Sequence, residues 1–382
     1  MRLIWCDSRA DGKVRMEARS DHFVHAFAHR VADRWLTLLV VARMKAMRVN
    51  DKQAMKIAIE AANRARLISR PNPWVGAVVV TKSGEIFEGS TSRIGGPHAE
   101  IQALGLAGAR ASGATLYSTL EPCNHTGRTG PCTEAIIAAG ISRVVIGITD
   151  PDEKVSGRGV VRLREAGIDV EIGVLAKEIS LQLKPYVHHR KTKRPFVVLK
   201  MAATLDGRTA APDGTSKWIT GENARLRVQR LRAESDAILV GANTVRVDDP
   251  QLNVRDIEAD SPRRIVLGEV SKSARVNPCT QWRGSLVDLL DELGSQDVLQ
   301  LLVEGGPTVA AAFHREKLID QYIFHLAPAL TGGNDSLPIF ENHGISTMNQ
   351  IWRGKIVSSQ QLGEDIEIII EPNSANQETQ ND

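Results

Sequence analysis

The spacing of apolar residues changes repeatedly between a helical and a strand-like period along residues 50–190. Apolar residues three and four positions apart predict an amphipathic helix over 51–68, with Asn50 or Asp51 as its amino-terminal cap. A continuous apolar run predicts a strand over 75–80, and the polar turn at 82–85 predicts a hairpin. The same alternation predicts helices over 98–108, 132–139, 157–166 and 176–190, and strands over 115–118, 143–147 and 169–172.

The alternation resumes after a basic connector over 188–193, which ends before Pro195. Strands that alternate with helices form sheets covered by helices, so the predicted fold class is α/β. We expect two domains, one over 47–190 and one over 191–372, followed by a polar tail over 373–382. The elements predicted for the second domain are strands over 196–200, 236–240, 264–268, 298–303 and 322–327, and helices over 222–233, 285–293 and 307–315.

The first 46 residues do not share this pattern. Their apolar segment, 35–42, is much shorter than the roughly 20 residues of a membrane-spanning helix. No small-residue cleavage site of a secretory signal follows it. His22, His25 and His29 have helical spacing and could form a metal site, but no helix cap or core-forming pattern accompanies them. We therefore interpret this segment as a disordered leader and expect the true start of translation near Met44.

The composition limits the classes of partner and compartment. Hydrophobic residues make up 42% of the 382 residues and charged residues 24%, a balance typical of soluble globular proteins. The formal net charge is only +3, which gives no reason to expect a nucleic acid or a membrane surface as a partner. Four cysteines are too few for a disulfide scaffold at this length, so we expect a reducing, cytoplasmic compartment.

Candidate chemistry in the first domain comes from one histidine, one glutamate and two cysteines. His98 stands two residues before Glu100, and Cys123 and Cys132 follow. An imidazole and two thiolates are ligands that zinc prefers, and three protein ligands leave a fourth position for water. Zinc lowers the pKa of that water to about 7. Glu100 can then take the proton of the water and pass it to a departing amine, which is the chemistry of zinc deaminases.

The spacing of the two cysteines leaves other interpretations open. In nucleobase deaminases the cysteines are usually two residues apart, whereas eight residues separate Cys123 from Cys132. A structural zinc site or free thiols on a loop would also place cysteines here, although structural sites usually have four protein ligands. His125, between the two cysteines, could compete as such a ligand.

Long motifs surround these residues in both domains. In the first domain they are PNPWVG at 71–76, PHAE at 97–100, TLEPCNHTGRTGPC at 119–132, DP at 150–151 and GRG at 157–159. In the second domain they are KMAATLDGR at 200–208, SKWIT at 216–220, LRA at 231–233, DDPQLNVR at 248–255 and VEGGPT at 303–308. With these motifs, residues 51–372 resemble the bifunctional deaminase/reductase family of riboflavin biosynthesis, in which the long cysteine spacing is usual.

The resemblance implies a cytidine-deaminase-like zinc domain followed by a dihydrofolate-reductase-like α/β domain, with Zn²⁺ and NADPH as cofactors. It also implies two reactions on a small phosphorylated pyrimidine. The first hydrolyses an amine from 2,5-diamino-6-(5-phosphoribosylamino)pyrimidin-4-one and releases ammonia. The second uses NADPH to reduce the ribosyl group to ribityl. Members of the family often associate, so a second copy of the chain, forming a homo-oligomer, is a candidate partner.

The resemblance also implies site residues by their position in these motifs, with zinc held by His98, Cys123 and Cys132. It implies that Asn72 and His125 contact the deaminase substrate, although an asparagine between two prolines is also typical of a turn. The positions implied for NADPH binding are Ala202, Trp218, Thr244, Asp248, Gly306, Pro307 and Thr308. The positions implied for the reductase substrate are Ser216, Arg232, Leu252, Arg255 and Glu304.

Some of the second-domain positions have an independent physical reason. The glycines of the loop 305–308 follow an apolar strand and open a helix, where backbone N–H groups can approach a phosphate. Such a loop is also an ordinary turn, and it lacks the Gly-x-Gly-x-x-Gly fingerprint of a Rossmann domain. Arg232 and Arg255 suit a sugar phosphate because a guanidinium binds it with two hydrogen bonds. Alternatively, Arg232 is an exposed helix charge and Trp218 is an ordinary core residue.

Three features depart from the family pattern. A Ser-Thr pair ending at Thr91 stands where an aromatic-histidine pair is usual, so a deaminase contact would be missing or replaced by Arg93. A Gly-Glu pair stands in place of an Asp-Ser pair, and the acidic Glu269 near the phosphates of NADPH would be unfavourable. The region 275–286 looks shorter than usual, as if a strand and its loop had been trimmed.

These departures keep two other functions open beside the bifunctional enzyme. The first is a deaminase alone, with an impaired or scaffolding reductase domain. The second is a nucleic-acid-editing deaminase, which the small net charge and the absence of interleaved basic and aromatic residues argue against.

Overall fold

The computed structural model describes residues 49–125, 130–152, 155–342 and 344–373. The described residues from Asn50 onwards belong to one compact unit, which we describe as a first lobe over 50–193 and a second lobe over 194–373. The expectations for the first 46 residues, which include the leader, its three histidines and a start near Met44, lie outside the described residues. The predicted polar tail lies outside them as well from 374 onwards.

The first lobe begins with helix α1, Asp51–Ala65. Asn50 is its cap, as one of the two predicted choices: the Asn50 side chain accepts a hydrogen bond from the N–H of Gln53, and the Gln53 side chain accepts one from the N–H of Asn50. The apolar face of the helix, which includes Met55, is buried. The helix ends three residues earlier than predicted, because the residues after it form the turn that leads to Pro71.

A five-stranded sheet forms the body of the first lobe. Its strands are β1 (Gly76–Val80), β2 (Ile86–Ser90), β3 (Thr115–Leu120), β4 (Arg143–Ile148) and β5 (Asp169–Ile172), and the helices between them are α2 (Ala99–Ala107), α3 (Cys132–Ala138) and α4 (Arg158–Glu165). The strand order is β2-β1-β3-β4-β5. The predicted hairpin is confirmed, because β1 pairs antiparallel with β2. β1 is also antiparallel to β3, whereas β3, β4 and β5 are parallel.

The helix predicted over 176–190 is in fact two helices, α5 (Ala176–Gln182) and α6 (Lys184–Thr192). Pro185 lies in the first turn of α6. A proline has no N–H and its ring clashes with the preceding turn, so a continuous helix is interrupted at this point. The prediction of a single helix was wrong, and the basic connector is helical up to Thr192.

An eight-stranded sheet and a separate two-stranded pair, β7 with β13, form the second lobe. The strands are β6 (Phe196–Thr204), β7 (Arg208–Ala210), β8 (Ala237–Gly241), β9 (Arg263–Leu267), β10 (Thr280–Trp282), β11 (Gln300–Val303), β12 (Gln321–Ala327), β13 (Leu337–Pro338), β14 (Gly354–Leu362) and β15 (Asp365–Pro372). The helices are α7 (Glu222–Ala233), α8 (Ala242–Asp248), α9 (Leu286–Ser295) and α10 (Pro307–Arg315).

The large sheet is parallel except at one edge. Its order is β10-β9-β8-β11-β6-β12-β15-β14, and only the last two strands pair antiparallel. Apolar cores cover both faces: Leu239 packs in a cluster with Phe313 of α10, and Ile238 packs in a cluster with Leu231 of α7. A mainly parallel sheet with buried faces confirms the predicted α/β fold class.

The hydrophobic pattern did not predict the terminal hairpin of β14 and β15. Nearly every residue of β14 is exposed, and Ile356 has 60% of its surface accessible. An edge strand that is exposed on both faces has no alternation of buried and polar positions, so the period-two signal is absent.

Polar side chains that are largely buried connect the two lobes. Arg66 donates a hydrogen bond from Nη2 to Oε1 of Gln300 at 3.3 Å, and the same nitrogen lies 3.5 Å from a carboxylate oxygen of Glu234. Arg70 donates to the carbonyl oxygen of Ser235. Over the described parts of the chain, we find no helix with the length and apolar character that a membrane span requires.

Candidate functional site

Three potential metal ligands meet where β3 ends and where α2 and α3 begin. His98 caps α2, Cys132 is the first residue of α3, and Cys123 follows β3. The Nδ1 atom of His98 lies 3.2 Å from Sγ of Cys132 and 3.6 Å from Sγ of Cys123. All three ligand atoms lie within 4.8 Å of one another. We call this group of three side chains the ligand cluster.

The ligand cluster fits a zinc ion. Zinc–nitrogen and zinc–sulfur bonds of about 2.0–2.3 Å in a tetrahedron place neighbouring ligand atoms about 3.5–4 Å apart, which is close to the separations in the cluster. Among the described residues, this is the only group of three or more His, Cys, Asp or Glu side chains with such a geometry. His125 is not part of it and is exposed, so the structure does not support it as a competing ligand.

Burial and hydrogen bonds together control the acid–base properties around the ligand cluster. Glu100, in the first turn of α2, is only 4% exposed, and this burial, together with the nearby Cys123, raises the pKa of its carboxyl to about 7. A hydrogen bond from Cys132 lowers the pKa of the Cys123 thiol to about 4. The same hydrogen bond and burial raise the pKa of the Cys132 thiol. The two thiols therefore share one negative charge, and a coordinated metal would ionise the second thiol as well.

The two residues expected to contact the deaminase substrate are Asn72 and His125. Asn72 forms the predicted turn with its backbone, because its N–H donates to the carbonyl of Ser69 and its carbonyl accepts from the Ser69 hydroxyl. Among the described residues, none hydrogen-bonds to the side-chain amide of Asn72 or to the imidazole of His125. The turn and the substrate contact are thus compatible roles for Asn72.

Thr91, of the Ser-Thr pair before α2, has a structural hydrogen bond. The hydroxyl of Thr91, which is buried, accepts a hydrogen bond from the N–H of Val75 at 3.0 Å. Arg93, the expected replacement for a missing contact, forms an ion pair with Asp260 of the second lobe at 2.7 Å. A guanidinium that is already neutralised is a weaker ligand for phosphate, so this pair does not favour the predicted replacement.

A cavity of about 680 Å³ lies in the second lobe. It is formed by β6, by the loop before α7, by one face of α7, by α8 and by the loop after β11. Most residues that the family resemblance implied for NADPH or substrate line this one cavity. They are Ala202, Ser216, Trp218, Arg232, Thr244, Asp248, Arg255, Glu304, Gly306 and Pro307.

Two of the implied residues do not line the cavity. The hydroxyl of Thr308 donates to Oε2 of Glu341 at 2.6 Å. Leu252 is 3% exposed and packs in the core that contains Val240 and Val245. An apolar side chain is more stable in the core than beside a polar ligand, which explains the position of Leu252.

Charged residues of the cavity are partly paired. Arg232 binds Glu304 with two hydrogen bonds, from Nε at 2.9 Å and from Nη2 at 2.8 Å, and both side chains are largely buried. The double hydrogen bond that we expected between Arg232 and a phosphate is therefore made to Glu304. Lys217 pairs with Asp248 at 3.1 Å. Within the described residues, the guanidinium of Arg255 has no hydrogen bond or ion pair.

Arg225 is a cavity residue that no sequence motif indicated. Arg225 lines the cavity, donates to the carbonyl of Thr220 at 2.9 Å and lies 4.8 Å from the ring centroid of Trp218. Trp218 is 71% exposed, so the alternative that it is a core residue is wrong. A signal was available, because Arg225 precedes Arg232 by seven residues and thus lies on the same face of α7.

The two departures on the cofactor side do not disturb the cavity. Glu269 forms an ion pair with Arg283, both side chains are more than two thirds exposed, and neither residue lines the cavity. The expected unfavourable charge beside the cofactor is therefore not found in this structure. The region 275–286 still contains the short strand β10, which pairs parallel with β9.

Two family models match the chain. Residues 48–148 match the model described as "Cytidine and deoxycytidylate deaminase zinc-binding region", and residues 195–368 match the model described as "RibD C-terminal domain". The first match contains all three residues of the ligand cluster, and the second contains every residue that lines the cavity.

Curated relatives are similar to the chain over most of their length. The riboflavin biosynthesis protein RibD of Escherichia coli (strain K12) is 40% identical over 330 residues, which cover 75% of this chain and 90% of that protein. RibD of Aquifex aeolicus (strain VF5) is 38% identical over 349 residues, which cover 83% of this chain and 97% of that protein.

Solved structures show the same architecture. Acinetobacter baumannii RibD, form 1, has a TM-score of 0.80 and 38% identity, and the match covers 85% of this chain and 99% of that one. A diaminohydroxyphosphoribosylaminopyrimidine deaminase/5-amino-6-(5-phosphoribosylamino)uracil reductase from Thermotoga maritima has a TM-score of 0.77 and 36% identity, covering 84% and 98%. The matches extend over a zinc-binding deaminase domain and an NADPH-dependent reductase domain. The chain therefore belongs to the RibD family and is a bifunctional deaminase and reductase of riboflavin biosynthesis.

Proposed function

We propose that residues 47–190 form the deaminase domain and residues 191–372 the reductase domain, with the ligand cluster and the cavity as their respective active sites. The observation that carries the first assignment is the buried Glu100 beside three zinc-type ligands. The proposed substrate is 2,5-diamino-6-(5-phosphoribosylamino)pyrimidin-4-one, which loses an amine as ammonia before NADPH reduces its ribosyl group to ribityl.

In the deaminase site, His98 would hold zinc through Nδ1, and Cys123 and Cys132 through their Sγ atoms, because these atoms face one another. Zinc supplies a Lewis acid that lowers the pKa of a water molecule to about 7. Glu100 accepts a proton from the attacking water and returns it to the amine nitrogen that departs as ammonia. A carboxyl with a pKa of about 7 suits both steps at neutral pH.

The substrate of the deaminase is bound by Asn72 and His125 in this proposal. The amide of Asn72 and the imidazole of His125 can donate hydrogen bonds to the pyrimidine or to its phosphorylated ribose. Asn72 stands on the turn between α1 and β1, and His125 stands two residues after Cys123.

In the reductase site, Gly306 and Pro307 lie where α10 begins, and no side chain of the described residues caps this helix. The free N–H groups at the start of a helix favour an anion, so we propose that a phosphate of NADPH binds here. Ala202, Trp218, Thr244 and Asp248 line the cavity and would complete the cofactor site. We propose no contact of Thr308 or Leu252 with NADPH or substrate, because neither residue lines the cavity.

The pyrimidine product of the first reaction would enter the same cavity and contact Ser216 and Arg255. Since the Arg255 guanidinium has no partner among the described residues, it can bind the sugar phosphate with two hydrogen bonds. The pair of Arg232 and Glu304 would position the substrate as a unit, because separating two buried charges is unfavourable.

The decisive experiment supplies the zinc-loaded protein with the diaminopyrimidinone and measures ammonia release and NADPH oxidation separately. We expect both. Ammonia without NADPH oxidation, even when the deaminated intermediate is supplied, would support the deaminase-only alternative instead.

We also propose that the enzyme is cytoplasmic, binds no nucleic acid and forms a homo-oligomer. The small net charge of +3 supports the second point. The exposed edge strand β14, with Ile356 and Val357 accessible, offers a surface on which a second copy can pair. Sedimentation of the purified protein tests the homo-oligomer, and its retention on single-stranded RNA tests the absence of nucleic-acid binding.

A further inference from the structure

Glu121 is a buried carboxylate two residues before the ligand Cys123. Its side chain is 3% exposed. Its backbone N–H donates to the carbonyl of Ile148 at 3.0 Å, which continues the pairing of β3 with β4 beyond the last strand residue. The residue therefore stands at the point where the chain leaves the sheet and turns towards the ligand cluster.

The two carboxylate oxygens of Glu121 accept four backbone hydrogen bonds from the described residues. Oε2 accepts from the N–H groups of Asp150 at 3.2 Å and Gly157 at 3.0 Å. Oε1 accepts from Gly159 at 2.9 Å and Val160 at 3.2 Å. The first N–H groups of a helix have no partner within that helix, and hydrogen bonds to a carboxylate are stronger than neutral ones. Glu121 thus ties the start of α4 and the loop after β4 to the end of β3.

Helix α4 also packs against the backbone next to Cys123. A Cβ atom at Gly159 would lie only 2.1 Å from the carbonyl oxygen of Pro122, so α4 packs against the residue that precedes Cys123 without free space. The ring of Pro122 fixes one backbone dihedral angle. On its other side, Cys123 accepts a hydrogen bond at its carbonyl from the N–H of Thr133 at 3.2 Å. The direction in which Cys123 enters the cluster is therefore determined from both sides.

We propose that Glu121 is a positioning residue for the zinc site, which holds the Cys123 thiolate at its ligand position through the backbone of Pro122. It touches neither metal nor substrate in this role. The inference rests on the proposed zinc site and predicts that metal affinity depends on a carboxylate outside the ligand cluster.

The test compares Glu121→Gln with Asp150→Asn. A glutamine keeps the size of the side chain but replaces one acceptor oxygen with an NH₂ group, which faces N–H donors. The control changes a buried carboxyl of the same loop, whose Oδ1 accepts from the Tyr186 hydroxyl at 2.8 Å, and it keeps the backbone N–H that Glu121 binds. The zinc dissociation constant is measured by chelator competition, together with the visible spectrum of the cobalt-substituted protein and the thermal midpoint.

We expect both variants to have a lower thermal midpoint. Only Glu121→Gln should also weaken zinc binding, by about 10-fold or more, and shift the ligand-field bands of cobalt. A zinc dissociation constant and a cobalt spectrum that match those of Asp150→Asn would overturn the proposal and leave Glu121 with a structural role alone.

A second variant decides the question if Glu121→Gln does not fold. Gly159→Ala retains Glu121 but places a methyl group 2.1 Å from the Pro122 carbonyl oxygen and 3.1 Å from Oε1 of Glu121. It should therefore disturb the same attachment, weaken zinc binding and shift the cobalt bands; unchanged values would refute the inference. Failure of the zinc site itself has a different signature, because the unmodified protein would then bind cobalt without thiolate charge-transfer bands.

Discussion

The ligand cluster of the first lobe and the cavity of the second lobe are assembled in different ways. The cluster brings three ligand atoms within 4.8 Å from one strand end and two helix starts. The cavity of about 680 Å³ collects its lining from residues 200–337. A metal needs a few donors at fixed short distances, whereas a dinucleotide and a sugar phosphate need a long surface.

The two sites also differ in their charge. The thiols of the ligand cluster and the carboxyl of Glu100 lie together without an ion pair among the described residues. In the cavity, Arg232 and Lys217 already have acidic partners. A site that receives a cation leaves its donors free, and a site that receives phosphates leaves selected cations free. Among the described residues, the cavity cations without an ion pair are Lys200, Arg225 and Arg255, and Arg225 donates a hydrogen bond to the carbonyl of Thr220.

The largest expected effect is the loss of one reaction while the other is retained. Glu100→Gln cannot accept and return a proton, so ammonia release should fall by about 10²- to 10⁴-fold. Zinc content, and NADPH oxidation with the deaminated intermediate, should remain normal. The control is Glu134→Gln in α3, where the exposed Glu134 pairs with Arg162 at 2.7 Å. An equal loss of ammonia release in the two variants would show that Glu100 does not transfer the proton.

The next effect concerns the cavity alone. Glu304→Gln leaves the buried Arg232 guanidinium without its counter-charge, and breaking such a pair costs about 3–5 kcal/mol. We expect a lower thermal midpoint and loss of NADPH oxidation, with ammonia release retained below the transition. A double variant, Arg232→Leu with Glu304→Leu, should recover stability but not NADPH oxidation. Recovery of both would show that the pair is only structural.

A smaller effect tests Arg225, which lines the cavity without an ion pair among the described residues and which we expect to bind a phosphate group there. Arg225→Gln removes hydrogen bonds to a charged ligand, each worth about 1.5–3 kcal/mol, so the KM for NADPH or for the phosphorylated intermediate should rise about tenfold or more. The control is Arg230→Gln on the same helix, because Arg230 pairs with Glu234 and does not line the cavity. Separate KM measurements identify which phosphate Arg225 binds, and unchanged values for both ligands contradict the role.

The smallest effect compares one buried carboxyl in each lobe. Burial raises the pKa of Asp150 to about 6 and that of Asp320 to about 7, from an ordinary value of 3.8. The folded state therefore holds these two protons more tightly than the unfolded state does. The stability that each protonated carboxyl contributes is complete below pH 3.8, the pKa in the unfolded chain. It is lost as the pH rises through about 6 for Asp150 and through about 7 for Asp320.

The thermal midpoint of the unmodified protein should decrease as the pH rises through these values. Asp150→Asn should make this decrease smaller near pH 6, and Asp320→Asn should make it smaller near pH 7. The amide at 320 can still accept the hydrogen bond that Asp320 receives from the N–H of Val197. Melting curves across both windows check this, and an unchanged slope in either variant would argue against a protonated carboxyl at that position.

Local patterns predicted the apolar strands of both sheets and most of the helices, together with the residues of the ligand cluster. The cap at Asn50 and the hairpin after β1 depend on neighbouring residues only. The split at Pro185 was also a local signal, but the helical period on both sides concealed it. The hairpin of β14 and β15 could not be predicted because its exposed strand has no apolar alternation.

By itself, the sequence determined which chemistry is available: one imidazole, two thiols and a glutamate in motifs short enough for residue type and order to identify them. The tertiary structure decided which charges are free to act. It pairs Arg232 with Glu304, although 72 positions separate them, and leaves Arg225 facing the cavity. It also brings Glu121 to the backbone of α4. Pairing between distant residues depends on how strands and helices pack, and no local spacing carries that information.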